Sequence, residues 1–163
     1  MVTIRRNEHA KGWVLQTELW TPASVDDVFA LFADAYQLEA ITPPWLHFHV
    51  ITPRPIVIQQ GTLIDYRLRL HGAPIRWQSE ITAWEPPFRF VDEQRRGPYR
   101  KWRHEHTFEE LNGGTLCRDC VEYDVPGGPL IHWLVVARDI RRIFEYRRDV
   151  FPRVLERSQE RVP

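Results

Sequence analysis

Cysteine and methionine are nearly missing from this chain, with two cysteines and one methionine in 163 residues. Two cysteines close at most one bridge, so a disulfide-stapled scaffold is excluded and stability must come from an apolar core. An excess of either charge is missing as well. Lys and Arg together number 22, Asp and Glu together also 22, and the formal net charge is zero. That balance argues against a broad electrostatic footprint for nucleic acid or an anionic bilayer. No apolar run approaches the ~18 residues that a membrane-spanning helix needs. The opening MVTIRRNEHAKGW has no apolar core of signal-peptide length. A cytoplasmic location is expected, with no nucleic-acid partner and no membrane insertion. Also absent are a glycine-rich phosphate loop and a serine or cysteine in a nucleophile-elbow pattern.

What is present is apolar and aromatic. Hydrophobic residues make up 43% of the chain and include seven tryptophans, enough at this length for one domain with a real core. The expected domain spans residues 1–163, with 1–11 and 156–163 as loosely ordered tails. Cys117 and Cys120 have CxxC spacing, but they lie in TLCRDCVEY, which reads as a strand. Three strand steps put their Cα atoms roughly 10 Å apart on opposite faces, beyond the about 7 Å that a disulfide tolerates. They read as two small apolar residues rather than as redox or zinc chemistry.

Periodicity sets the order of elements. Residues 12–20 read as a first strand, broken by Thr21-Pro22. Val25, Val28, Phe29 and Phe32 have the i, i+3, i+4, i+7 spacing of a helix stripe over residues 23–33. Thr21 or Ser24 can cap its start, and Asp26 and Asp27 suit its first turn. A second short helix is expected over 34–41, ended by Thr42-Pro43-Pro44. Strands follow over 45–52, 61–70, 74–84, 88–94, 99–108 and 115–124. His47 and His49 share a face of the first of these and read as surface histidines. Pro126-Gly127-Gly128-Pro129 then opens a long helix from 130 to about 151, with Trp133, Ala137, Ile140, Phe144 and Phe151 near one face. Pro152 is expected to kink or end it. The arginines from Arg138 onward are interleaved with acids, as on a solvated helix face.

The stretch YRKWRHEHTF, residues 99–108, carries the chemistry. As a strand, it places Trp102, His104, His106 and Phe108 on one face and mostly charged residues on the other. Hairpin registers extend that face to its neighbours. A turn at Gly72-Ala73 pairs Leu70 with Ile75, Leu68 with Trp77 and Tyr66 with Ser79. A turn at Pro86-Pro87 pairs Ala83 with Phe90 and Ile81 with Asp92, and puts Phe88 and Gln94 on the same side. A loop over 96–98 pairs Asp92 with Trp102 and Phe90 with His104. Asn112-Gly113 is a strong hairpin signal and pairs His106 with Asp119, His104 with Val121 and Trp102 with Tyr123. All four registers give one inner face. Asp92, Gln94, His104, His106 and Asp119 on it are costly to bury dry. Two readings follow, a partly wet cavity and a hydrogen-bonded network that only holds the fold. The pair His106–Asp119 is open in the same way, as a proton-transfer pair or as a structural ion pair.

Three motifs, TPASVDDVFALFADAYQLEAITPP, IDYRLRLHGAPIRWQSEITAWEPPFRFVDEQRRGPYRKWRHEHTFEE and GGT before the closing helix, resemble those of the START-like, helix-grip superfamily. The resemblance covers nearly the whole chain. It lies closest to the SRPBCC branch of polyketide cyclase/dehydrases, lipid-transfer domains and plant allergen-type carriers, and to an uncharacterised bacterial group within it. It implies an α+β helix-grip fold: a curved seven-stranded antiparallel sheet around a long C-terminal helix, two short helices after the first strand, and an apolar tunnel between sheet and helix. It implies no reaction, and no catalytic residue set is shared across the superfamily.

The leading expectation is binding of a small hydrophobic or aromatic molecule, lipid- or polyketide-like, with no cofactor and no metal. Tyr66, Leu68, Trp77, Ser79, Phe90, Asp92, Gln94, Trp102, His104, His106, Asp119 and Tyr123 would contact it from the sheet, and Trp133, Ile140 and Phe144 from the helix. The alternative is a cyclase- or dehydratase-type enzyme with His106 and Asp119 moving the proton. A third reading is a metal-dependent cupin, because His104, Glu105, His106, Glu110 and His132 loosely follow cupin ligand spacing. An edge strand could support a homodimer, though nothing demands one.

Overall fold

The structure is a computed structural model and describes residues 1–159. Among the described residues the strands are β1 (Thr3–Arg6), β2 (Trp13–Thr21), β3 (His49–Val50), β4 (Leu63–Leu70), β5 (Ala73–Glu85), β6 (Arg89–Arg96), β7 (Lys101–Leu111) and β8 (Gly114–Asp124). All neighbours are antiparallel, in the order β1-β2-β8-β7-β6-β5-β4-β3. Helices α1 (Val25–Phe32) and α2 (Gln37–Ile41) follow β2. After β8 come α3 (Gly128–Ile131), a π-helical turn (His132–Val136) and the long α4 (Ala137–Gln159). This is the expected α+β class, with eight strands rather than seven.

The extra strand lies in the segment expected to be a loose tail. β1 pairs with β2 from Thr3↔Gln16 to Arg6↔Trp13. Val2 is buried, and its carbonyl accepts a 2.7 Å bond from Arg141 of α4. At the other end residues 156–159 continue α4 rather than fraying, and the rest of that expected tail lies outside the described residues. Pro152 does not end the helix. Phe151 and Leu155 are both buried in the core on either side of it, and that burial outweighs one lost backbone bond.

Local chemistry explains most element boundaries. Ser24 caps α1, accepting from the Asp27 backbone N–H at 3.2 Å. The β7–β8 turn has positive φ at Asn112 and Gly113 (52° and 75°), as a two-residue primed turn requires, and its register is the expected one throughout. The β4–β5 turn is His71-Gly72, with φ of 50° and 83°, one residue earlier than expected. Its pairs therefore shift to Leu68↔Ile75 and Tyr66↔Trp77. A two-residue slip preserves parity, so the faces stay as expected. The β6–β7 loop is longer than expected and moves the pairs to Phe90↔His106 and Asp92↔His104, again a slip of two. Between β5 and β6 an irregularity at Ile81/Ala83 keeps Ile81↔Asp92 but replaces Ala83↔Phe90 with Trp84↔Phe90. Phe88 falls outside the strand and is exposed. Where a strand is expected over 45–52, the structure has the end of a 3₁₀ turn (Pro44–Leu46) and only the two-residue β3, with His47 and His49 exposed. Cys117 and Cys120 are free thiols on β8, the first buried and the second half-buried.

Two apolar clusters pack between sheet and helices. One joins α1 and the end of α4 to the sheet through Phe29, Phe90, Phe108, Phe151 and Leu155. The other joins the start of α4 to β1, β2 and β8 through Leu15, Val121, Tyr123, Ile140 and Phe144. The π turn sets which side chains reach the second cluster. In an unbroken α-helix, Trp133 lies two turns before Ile140 on the same face. The wider turn inserts one residue, so His132 takes that place and Trp133 swings out to 75% exposure. His132 stacks on Trp13 at 3.7 Å and 8°, and bonds the Tyr123 hydroxyl at 2.9 Å.

Burial and the nearby Arg6 lower the His132 pKa. A histidine that folds neutral binds fewer protons than its unfolded form, so its effect is to destabilise the fold as pH drops through the unfolded value of about 6.5. His132→Gln is expected to melt lower than wild type at pH 7.5, yet to lose less further stability on going to pH 5.5. Equal losses in the two proteins, read by thermal melts, would show that His132 is not part of the acid sensitivity.

Candidate functional site

A cavity of about 170 Å³ lies between the inner face of the sheet, α4 and the α1–α2 segment. Period-two alternation aims the sheet residues into it. Tyr66 and Leu68 come from β4, Trp77 and Ser79 from β5, Phe90 and Asp92 from β6, and Trp102, His104 and His106 from β7, with Ile140 and Phe144 from α4. These eleven are among the side chains the sequence picks out. Four others it picks out are not brought to the cavity. Gln94 folds back on the β6–β7 loop, donating to the Tyr99 carbonyl at 2.7 Å. Tyr123 is core packing bonded to His132. Trp133 is solvent-facing because of the π turn. Asp119 sits on the far side of the two histidines, where it lines a smaller void with Thr17, Cys117 and Phe151.

Other lining residues escape the sequence reading. Phe32 belongs to the α1 stripe, and its part in the wall depends on how α1 packs. Ile143 and Arg147 follow Ile140 and Phe144 by three residues on α4, a signal that helix spacing does hold. Arg147 is the only guanidinium or ammonium among the lining residues. No carboxylate among the described residues forms an ion pair with it.

The polar end of the cavity is a closed group of two imidazoles and two carboxylates. Asp119 Oδ1 lies 2.9 Å from His104 Nε2 and 2.8 Å from His106 Nδ1. The second contact is short but poorly directed for a hydrogen bond. Asp92 Oδ2 lies 3.3 Å from His106 Nε2 and 3.7 Å from His104 Nδ1. Asp92 Oδ1 accepts from Ser79 at 3.3 Å, and Ser79 in turn accepts from Trp77 Nε1 at 3.1 Å. Phe90 stacks on His106 at 4.1 Å and 15°, and His104 and His106 are 4% and 3% exposed.

Burial and the adjoining His106 push the His104 imidazole down to about 4, despite the two carboxylates. His106 is also disfavoured as a cation by burial, but its contacts with Asp119 and Asp92 outweigh this and raise its pKa. Burial likewise opposes ionisation of Asp92 and Asp119. The imidazoles overcome it, holding Asp92 below the usual carboxylate value and Asp119 well below it.

The cupin ligand set does not assemble. Glu105 points to the opposite face and pairs with Arg89 and Arg103, Glu110 is exposed, and His132 is stacked on Trp13 of the second apolar cluster.

Ser79→Ala removes the anchor of Asp92 Oδ1 and leaves the Trp77 indole N–H without its acceptor. Chemical denaturation is expected to show a loss of about 1–3 kcal/mol, the usual cost of unmade buried hydrogen bonds. A loss below the scatter of the measurement would mean that water replaces the hydroxyl.

Comparison with known proteins places this geometry in a family. No curated protein matches the sequence. Among solved structures, protein Ms6760 from Mycobacterium smegmatis superposes with a TM-score of 0.70 at 19% identity, over 97% of this chain and 99% of that one. A protein from Arthrobacter aurescens gives 0.70 at 16% identity, over 95% and 91%. One from Staphylococcus epidermidis gives 0.70 at 12% identity, over 96% and 94%. Such identities establish a shared fold. The family match itself runs over residues 21–150, from the end of β2 into α4, and on that extent the chain belongs to the family described as polyketide cyclase/dehydrase and lipid transport.

Proposed function

We propose that this protein binds a small, largely apolar molecule with an aromatic ring or a short polyketide-like core, held between sheet and α4. The observation that carries the reading is the composition of the cavity. Its walls are aliphatic and aromatic, and its polar groups are few and gathered, with Ser79, Asp92, His104 and His106 together on the sheet and Arg147 on α4. That is how small-molecule sites combine affinity with orientation. Size narrows the class. A dry cavity of ~150 Å³ accommodates benzene, so a volume of about 170 Å³ suits one ring with short substituents. The Arg147 guanidinium, 5.3 Å over the Phe144 ring and in no ion pair among the described residues, favours a ligand with a carboxylate or phenolate.

Native mass spectrometry followed by denaturing extraction is expected to release an organic species of this class, or to show uptake of added aromatic acids. Ile143→Trp narrows the cavity from α4 without touching the polar group and is expected to weaken that binding at least tenfold. Unchanged affinity would place the ligand elsewhere.

A second reading has an observation of its own. His106 lines the cavity and touches Asp119 at 2.8 Å, as a proton-transferring imidazole with an orienting carboxylate would. Under that reading the protein is a cyclase- or dehydratase-type enzyme. His106→Asn would then abolish turnover of a polyketide-like substrate while binding persists, and full activity in that variant would remove the assignment.

A further inference from the structure

Hydrogen bonding accounts for only part of the polar group at the cavity floor, because His106 bonds Asp92 through Nε2 but its buried Nδ1 has no hydrogen-bond partner. Asp92, His104 and His106 each offer one donor atom, and these atoms lie within 4.8 Å of one another. Asp92 Oδ2 is 3.3 Å from His106 Nε2 and 3.7 Å from His104 Nδ1. Charge-assisted hydrogen bonds are shorter, about 2.7–2.9 Å. The edges of a tetrahedron around an ion with bonds of roughly 2.0–2.1 Å are about 3.3–3.4 Å, which the His106 contact matches and to which the 3.7 Å His104 contact would have to close.

The remaining ring nitrogens point the same way. His104 Nε2 and His106 Nδ1 both turn to Asp119 Oδ1, at 2.9 and 2.8 Å. A neutral imidazole has one N–H. With that proton on Nε2 toward Asp119, His104 presents its Nδ1 lone pair toward the Asp92 carboxylate. His106 bonds Asp92 through Nε2, so an ion there would displace that proton and shift the ring's N–H to the unpartnered Nδ1 beside Asp119. With that proton displaced, three electron-rich atoms converge on one point. No arginine or lysine among the described residues comes within 4.0 Å of either carboxylate. A carboxylate behind each ligating histidine is the usual support of a metal site, fixing tautomer and ring orientation. The bond from Ser79 to Asp92 Oδ1, itself backed by Trp77, supports the third ligand in the same manner and leaves Oδ2 to the two imidazoles.

We propose that Asp92, His104 and His106 bind one divalent first-row transition-metal ion, zinc being the best match, with Asp119 as the shared outer carboxylate. Two imidazoles and one carboxylate suit such an ion. All three ligands line the cavity, so the remaining coordination position faces it, open to water or to an oxygen of a bound molecule. The proposal stands apart from the reading of the cavity's organic ligand, because metal uptake is measured with no organic ligand present.

The test uses the full-length protein, purified without a histidine tag, stripped with a chelator and titrated first with Co(II) and then with Zn(II). The expected result is one equivalent of cobalt, visible as the intense d–d bands of a low-coordinate site, displaced by one equivalent of zinc. Asp92→Asn and His104→Gln are expected to abolish uptake. Asp119→Asn should weaken it by about 10–100-fold. Glu105→Gln, on the other face of the same strand, is expected to leave it unchanged. Folded wild-type protein that takes up neither metal stoichiometrically overturns the proposal, whatever the variants do. So does uptake of equal affinity in Asp92→Asn and His104→Gln. Loss of aromatic binding in Ile143→Trp with intact cobalt uptake, or the converse, separates this site from the organic pocket.

Discussion

Two carboxylates and two imidazoles packed against each other across β6, β7 and β8 are the constraint on which the inner face depends. Taking such groups out of water costs several kcal/mol per ion unless each finds a partner. Here each carboxylate touches both imidazoles, and this holds only when Asp92 pairs with His104 and His106 with Asp119. A one-residue slip of any of the three strands would turn its members outward and strand the others. The group therefore resists register errors at the centre of the sheet, where α4 and Phe90 close over it.

The rest of the architecture arranges apolar mass on either side of this centre. One cluster ties α1 and the end of α4 to the sheet, and the other ties the start of α4 to β1, β2 and β8. α4 bridges both, so the helix is held at its two ends and spans the sheet between them. The cavity occupies that span, where polar side chains prevent tight apolar packing. The π turn before α4 completes the arrangement. It brings His132 onto Trp13 and Tyr123 of the second cluster and leaves Trp133 in solvent.

Legibility in the sequence varied with the range of the interaction. The β7–β8 hairpin was readable pair by pair because Asn112-Gly113 carries its own geometry, with both residues able to take positive φ. With it came the His106–Asp119 contact. The contacts of Asp92 with both histidines were not readable. They depend on the β6–β7 register, and the loop over 97–100 has no turn signature that counts its own residues. Gln94 and Tyr123 show a different limit. Both were read on the inward side, but parity says nothing about position along a strand relative to the helix above it, and neither reaches the cavity.

From the sequence alone came the class of fold, the two short helices, the long closing helix and the inner face of the sheet. The class of fold rests on the family resemblance of three motifs, and the others on period-two and period-3.6 patterns and on short turn motifs, all encoded within a few residues of each other. Tertiary structure alone decided three things: that the N-terminal segment adds a strand, that a π turn exchanges Trp133 for His132, and that Asp92, His104, His106 and Asp119 meet at one point. Each depends on side chains distant in sequence whose spacing is set by packing and strand register, and local pattern carries no information about that distance.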